Sequence, residues 1–365
     1  NGPDAGASAG APDSLLEQNL CYSPLSLYLA CSLVGLGTQG SSQEQLLTLL
    51  GAEDQAQLAA LNEGVRLQLE DTFGDAQVQV ADSIWAGKGY SFTDAFRQQA
   101  EALGAGAFDV TFGTSEADQQ ISNWISDQTE DLLKPTLSTE DGQAALLVNT
   151  IYFKDGWASP FTAEQTQTAP FHAPGQEVQA DFMRQTVTDS LYGEREGFTA
   201  AALSFTGGST MTFYLPDEDT HLSAILQDPQ SVLNLMSLEL EPQSVDWRIP
   251  KFQATSSLKR LVESLKALGV TDIFSPQSPE DFAPMIAADD GSGGFCVSSV
   301  IQDTHLGLDE AGVEAAAYTA IGIERMALMP DREPMEFKLD RPFFYTLVSP
   351  DGNILFAGVL YNPGL

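Results

Sequence analysis

Several places in this sequence carry residue types and spacings that support catalysis or metal binding in other proteins. Gly6 to Gly10 read GASAG, the spacing of a nucleophile elbow. An elbow needs a strand before it and a helix after it, whereas the opening NGPDAGASAGAPDS is rich in Gly, Ala and Pro and reads as a linker over 1–13, left after removal of an export signal or after trimming. Ser256 to Lys259 form SxxK at the start of a predicted helix, but neither companion motif of the serine acyltransferases follows, so a helix cap and a solvated lysine is the better reading. His172, His221 and His305 stand in separate segments, without the Asp and Ser spacing of a triad. Asp289 and Asp290 before GSGG hint at a calcium loop that lacks its later bidentate carboxylate. Cys21, Cys31 and Cys296 are odd in number and lack metal spacing, the first two sharing one predicted helix, so no disulfide framework is implied. The expectation is a protein that is not an enzyme and needs no metal and no cofactor.

A different kind of chemistry is written near the C-terminus, in DEAGVEAAAYTAIGIERMALMPDREP from Asp309 to Pro334. Val313, Ala315, Ala317, Thr319, Ile321 and Ile323 alternate with Glu314, Ala316, Tyr318, Ala320, Gly322 and Glu324, so one face is small or apolar and the other carries the charges. That is a strand pattern. The richness in Ala and Gly, and the run into a polar, Pro-bearing segment, equally suit an exposed loop.

A segment of that kind needs a sheet to receive it. At 365 residues and 43% hydrophobic content, the chain has ample material for a sizeable core. We expect one mixed α+β domain over 14–365, with helices concentrated early and strands throughout. Ser23 caps a helix with Pro24 at its first position, apolar nearly all round and ended by Gly35 and Gly37. Further helices are expected over Ser42–Leu50, Gln55–Leu69, Thr93–Leu103, Ser115–Leu133 and Ser257–Leu268. Strands are expected over Ala76–Ala86, Ala107–Phe112, Ala144–Phe153, Glu177–Arg184, Phe198–Phe205, Thr210–Leu215 and Gly294–Leu308. Ala144–Phe153 is apolar on both faces except for Asn149 and Thr150, as a central strand would be, and a lone Asn there needs partners. Phe343–Val348 and Ile354–Leu360 flank SPDGN as a nearly all-apolar hairpin.

The formal charge of -35 argues against sequence-independent binding of nucleic acid or an anionic membrane, and favours a cationic partner. No apolar run approaches the roughly 18 residues of a spanning helix. Over Gln55–Leu69 only Arg66 is basic, which argues against heparin as a partner.

Over Ser14 to Pro363 the chain resembles the serpins. The residues that carry this are NLCYSPLSLYLA (Asn19–Ala30), VNTIYFKDGWASPF (Val148–Phe161), DEAGVEAAAYTA (Asp309–Ala320) and RPFFYTLVSPDGNILFAGVLYNP (Arg341–Pro363), in the family's order. The resemblance implies a mixed α+β fold of three β-sheets and about eight or nine helices, with a reactive-centre loop over about 310–334. It implies a metastable, secreted, extracellular inhibitor of prokaryotic type, monomeric, that acts on serine proteases as a suicide substrate. The protease cleaves the loop, the freed part inserts into a sheet as a strand, and the acyl-enzyme is trapped. About 14 inserted residues at roughly 3.3 Å each would carry the protease on the order of 45 Å.

Residue by residue, the resemblance places a hinge at Glu310, Gly312, Val313, Glu314, Ala315, Ala316 and Ala317, and insertion over 312–323. Ser23, Ser26 and Asn149 match the polar cluster that controls opening of the sheet, and Gln302 stands where many members have His. Trp157 matches the tryptophan beside the point where the loop first inserts. The family's spacing puts the reactive bond at Met326–Ala327, with Arg325, Leu328 and Met329 as alternatives in register. Met326 suits an elastase-like or chymotrypsin-like pocket and Arg325 a trypsin-like one, while a papain-like cysteine protease is a further partner class. The alternative function is a non-inhibitory carrier or binding protein.

Overall fold

A computed structural model describes residues 18–71, 76–258, 261–289, 294–313 and 333–364. The first part is largely helical. After β1 (Leu20–Tyr22) come α1 (Pro24–Gly37), α2 (Gly40–Leu50) and α3 (Gln55–Asp71), then β2 (Gln77–Ala86), β3 (Tyr90–Phe92), α4 (Asp94–Ala102), β4 (Gly106–Asp109), α5 (Ser115–Gln128) and β5 (Ala145–Gly156). The middle is mostly strand: β6 (Gln167–Ala173), β7 (Gln176–Arg195), β8 (Phe198–Ser204), β9 (Thr210–Pro216), the short helices α6 (Leu222–Leu226) and α7 (Pro229–Met236), β10 (Glu241–Pro250) and β11 (Phe252–Leu258). The remainder holds α8 (Leu261–Ala267), β12 (Ile286–Asp289), β13 (Val297–Leu308), β14 (Gly312–Val313), β15 (Met335–Lys338), β16 (Phe343–Val348) and β17 (Ile354–Leu360).

Eight α-helices and three sheets stand among the described residues, in agreement with the expected fold. A nine-stranded sheet runs β1-β17-β16-β9-β8-β7-β10-β15, with β6 paired to β7. A six-stranded sheet runs β11-β13-β14-β5-β2-β4, and β12 pairs with β3. The two faces of the six-stranded sheet are covered differently. Leu147 and Ala145 of β5 and Val300 of β13 pack with Leu33 and Val34 of α1, while Leu146, Val148 and Ile301 pack with Ile121 and Ile125 of α5. That alternation is the period of two that a strand buried on both faces must show.

Several expected elements are corrected. The segment expected as a helix over Ser257–Leu268 begins as strand: residues 252–258 pair antiparallel with β13, from Phe252↔Leu308 to Leu258↔Gln302, and α8 covers Leu261–Ala267. The hydroxyl of Ser256, read as a helix cap, instead accepts from the Cys21 backbone N–H. Cys21 lies in β1, not in a helix with Cys31. The helix expected to reach Leu133 stops at Gln128, and the chain turns through positive φ at Glu130 and Asp131. β7 is far longer than the expected Glu177–Arg184, because β10 pairs with it over 182–192 while its two ends pair on the other edge with β6 over 176–182 and β8 over 191–195.

Candidate functional site

The functional geometry lies along one seam of the six-stranded sheet. β5 and β13 pair directly and in parallel from Val297↔Ala145 to Thr304↔Ile151. Just beyond that run, the two residues of β14 lie between them, with Val313 opposite both Leu308 and Asp155 and Gly312 opposite Gly156. A strand has been started at one end of a junction that is otherwise closed.

Ser23, Ser26, Asn149 and Gln302 meet at the closed part, all fully buried. Ser23 caps α1, its Oγ accepting from the Ser26 N–H at 3.1 Å, with Pro24 at the first helical position. The helix start is thereby aimed at the seam. Gln302 accepts from the Ser23 N–H at 2.9 Å and donates to the Ser23 carbonyl at 3.0 Å. It also donates to Asn149 Oδ1 at 2.6 Å, directly across the junction. Asn149 Nδ2 donates to the Ser26 carbonyl at 3.0 Å and to Asp82 Oδ1 at 2.6 Å. Both amides are thus fully engaged, which is what deep burial of such groups demands.

Asp82 of β2 is the member of this network that sequence reading missed. It opposes Asn149 in register and is nearly fully buried. Burial pushes its carboxyl from 3.8 up to about 7, against the lowering effects of the Asn149 hydrogen bond and the Arg66 charge. A signal was available: Val78, Val80, Asp82, Ile84 and Ala86 share one strand face, and an acid in the middle of an apolar face requires partners.

At the far end, Trp157 holds the turn that leads into β14. Its backbone N–H donates to the Ala311 carbonyl at 2.9 Å and its indole Nε1 to the Asp309 carbonyl at 3.0 Å. The ring is buried and stacks on Phe205 with centroids 4.3 Å apart. Asp309 closes the turn through its carboxylate, which accepts from the Ala311 and Gly312 N–H groups. Gly312 sits at φ +146, and a Cβ there would drive into the carbonyl oxygen of Asp155. Val313 is fully buried. The Glu310 carboxylate accepts from Thr166 Oγ1 at 2.7 Å and pairs with Lys251 at 2.9 Å. Burial pushes Glu310 up, but the hydrogen bonds from Lys251 and Thr166 outweigh it and hold the carboxyl below its ordinary value.

Glu314, Ala315, Ala316 and Ala317, and the reactive-bond candidates Met326, Ala327, Arg325, Leu328 and Met329, lie outside the described residues. The histidines stay apart. His172 is on β6 near Glu177, His221 precedes α6, and His305 on β13 meets Thr255. Among the described residues no group of three or more His, Cys, Asp or Glu is placed to hold a metal ion, and no helix is long and apolar enough to cross a membrane. The three cysteines are free.

The profile of the family described as serpin (serine protease inhibitor) matches residues 11–363. A serine protease inhibitor of Cyanea capillata is 29% identical over 95% of this chain and 93% of its own length. Among solved structures, Arabidopsis AtSerpin1 in a native stressed conformation superimposes with a TM-score of 0.81 at 26% identity, covering 96% of this chain and 93% of the other. Human thyroxine-binding globulin superimposes with a TM-score of 0.81 at 21% identity, over 95% and 92% of the two chains.

Proposed function

The chain belongs to the serpin family, and from that membership we propose that it inhibits serine proteases as a suicide substrate. The observation that carries the proposal is the seam. β5 and β13 are paired along most of their length, with β14 begun between them by Gly312 and Val313. A strand continuing from Val313 gains two rows of backbone hydrogen bonds once β5 and β13 part, and this downhill insertion is the energy source of the inhibition.

In the proposed reaction the protease serine oxygen attacks the carbonyl carbon of Met326. An ester forms at Met326, the bond to Ala327 breaks, and the amine of Ala327 leaves. Insertion of 312–323 then draws the tethered protease along the sheet before water hydrolyses the ester. Glu310, Gly312 and Trp157 act as the hinge and its clamp, and Ser23, Ser26, Asn149 and Gln302 as the cluster that must open. The apolar run Met326–Met329 supports an elastase-like or chymotrypsin-like target, and Arg325 a trypsin-like one in a neighbouring register.

The test is incubation with a panel of serine and papain-like proteases. An SDS-resistant complex with release of a fragment beginning at Ala327 is expected; turnover of the chain as a plain substrate, with no complex and no gain in thermal stability after cleavage, contradicts it. That second outcome favours the carrier reading. The small, uncharged side chains at Gly312, Val313 and Ala315 to Ala317 speak against a carrier, because they suit insertion.

A further inference from the structure

Asp82 occupies a position from which it controls the seam without lying on it. Its Oδ1 accepts from Asn149 Nδ2, and the same amide presents Oδ1 to Gln302 across the junction. An ionised carboxylate has no proton to donate, so it holds the donor end of the Asn149 amide toward β2 and the acceptor end toward β13. We propose that the ionised carboxylate of Asp82 latches the β5–β13 seam in this way, and that protonating it releases the latch and speeds strand insertion. The inference rests on the insertion mechanism proposed above.

Protonation removes the negative charge that strengthens the Asn149 bond. Neutral Asp82 still offers an oxygen to Asn149 Nδ2, and the Ser26 carbonyl keeps the amide in its orientation, but the bond loses its charge assistance. Asn149 is then less polarised, its Oδ1 is a poorer acceptor, and the bond from Gln302 across the seam weakens. Opening the seam gives up the Gln302–Asn149 bond, so it costs less when Asp82 is neutral. Opening is therefore coupled to proton uptake.

The groups packed round Asp82 leave it as the titrating one. From α1 it faces Cys31, whose thiol is pushed up to about 12 by burial, with the charge of Asp82 adding to the effect. From α3 comes the permanent cation of Arg66, and from β5 and β13 the neutral amides of Asn149 and Gln302. His305 lies on the opposite face of β13 from Gln302 by strand parity and is engaged with Thr255. His172 and His221 belong to β6 and to the cap of α6, away from this sheet. The rise of the Asp82 carboxyl to about 7 puts its proton exchange within a physiological range.

The experiment uses the full chain and a fluorescent peptide of residues 313–324, capped at both ends, with its rate of incorporation into the sheet followed from pH 5.5 to 8.5. For a latch that titrates near neutrality, the protonated fraction rises from about a tenth at pH 8 to about nine-tenths at pH 6, so a rate increase of about ninefold is expected. D82N carries no charge at any pH, so its rate should be fast and flat across the range. R66Q removes the cation that favours ionised Asp82, so its midpoint should move to higher pH; it also carries the test if D82N does not fold. A flat wild-type profile, a D82N slope equal to wild type, or an unmoved R66Q midpoint overturns the latch while leaving insertion intact. No incorporation at any pH overturns the insertion mechanism itself and the latch with it.

Discussion

Gln302 and Asn149 face each other across a parallel strand pair, amide to amide at 2.6 Å, on the two strands that the proposed insertion would part. Each amide is anchored on its own side as well, Gln302 to the start of α1 and Asn149 to Ser26 and Asp82. Parting the strands therefore breaks one side-chain bond between two well-held groups, which makes the closed sheet specific without making it irreversible.

Replacing Gln302 with Leu removes that bond and leaves buried partners at Asn149 and Ser23 unsatisfied. The expected cost is about 1–3 kcal/mol for each group left without a partner. Urea denaturation should show the lost stability, and peptide incorporation should be faster than in wild type. An unchanged midpoint in both would show that the bond contributes nothing.

Gly312→Ala places a Cβ against Asp155 at a backbone conformation that side chains rarely adopt. About 1–3 kcal/mol of strain is expected at such a position. The start of β14 should be disfavoured, and the partition between trapped complex and hydrolysed product should move toward product. Gel quantification of the two species against a fixed amount of protease checks this.

The Glu310 carboxyl is held below its ordinary value, so its contribution to stability is present above that ordinary value and is lost as pH falls through the folded one. Lys251 is partly exposed, so solvent screening limits the pair to about 1 kcal/mol or less. E310Q should be less stable than wild type at pH 7, with the gap closing near pH 4 and below, as read by thermal melts across that range.

Asp82 has the opposite sign. Its folded carboxyl is raised from 3.8 to about 7, so the stability linked to it is fully present below the ordinary value and is lost as pH rises through about 7. D82N escapes that loss. The stability of D82N relative to wild type should therefore be greater at pH 8 than at pH 5, by on the order of a few kcal/mol. A difference independent of pH would contradict the assignment.

The charge of -35 should steer a basic protease, so the association rate should fall as salt is raised. With a screening length of about 10 Å at 0.1 M, a drop of about tenfold between 20 mM and 500 mM salt is expected for a basic target and little change for a neutral one. Stopped-flow measurement with proteases of different charge separates the two.

How much of this was legible in the chain varied with the source of each element's stability. The hairpin of β16 and β17 was readable to the residue, because two apolar runs and a PDG turn specify it locally. α1 was readable from Ser23 and Pro24. β11 was not: FQATSSL has weak strand character by itself and is strand because β13 supplies its ladder. β10 escaped notice for the same reason, whereas α7 carried a local signal that went unread, Asp228 capping it with Pro229 at its first position.

The sequence by itself carried the family through motifs in order along the chain, and showed the alternation after Gly312 and the oddity of Asn149 in an apolar strand, because periodicity is local physics. Only the tertiary structure decided that Asn149 is held by Asp82 on one side and Gln302 on the other. The register between β2, β5 and β13 is chosen by packing against α1 and α5, and no pattern within one strand records which residue will stand opposite in another.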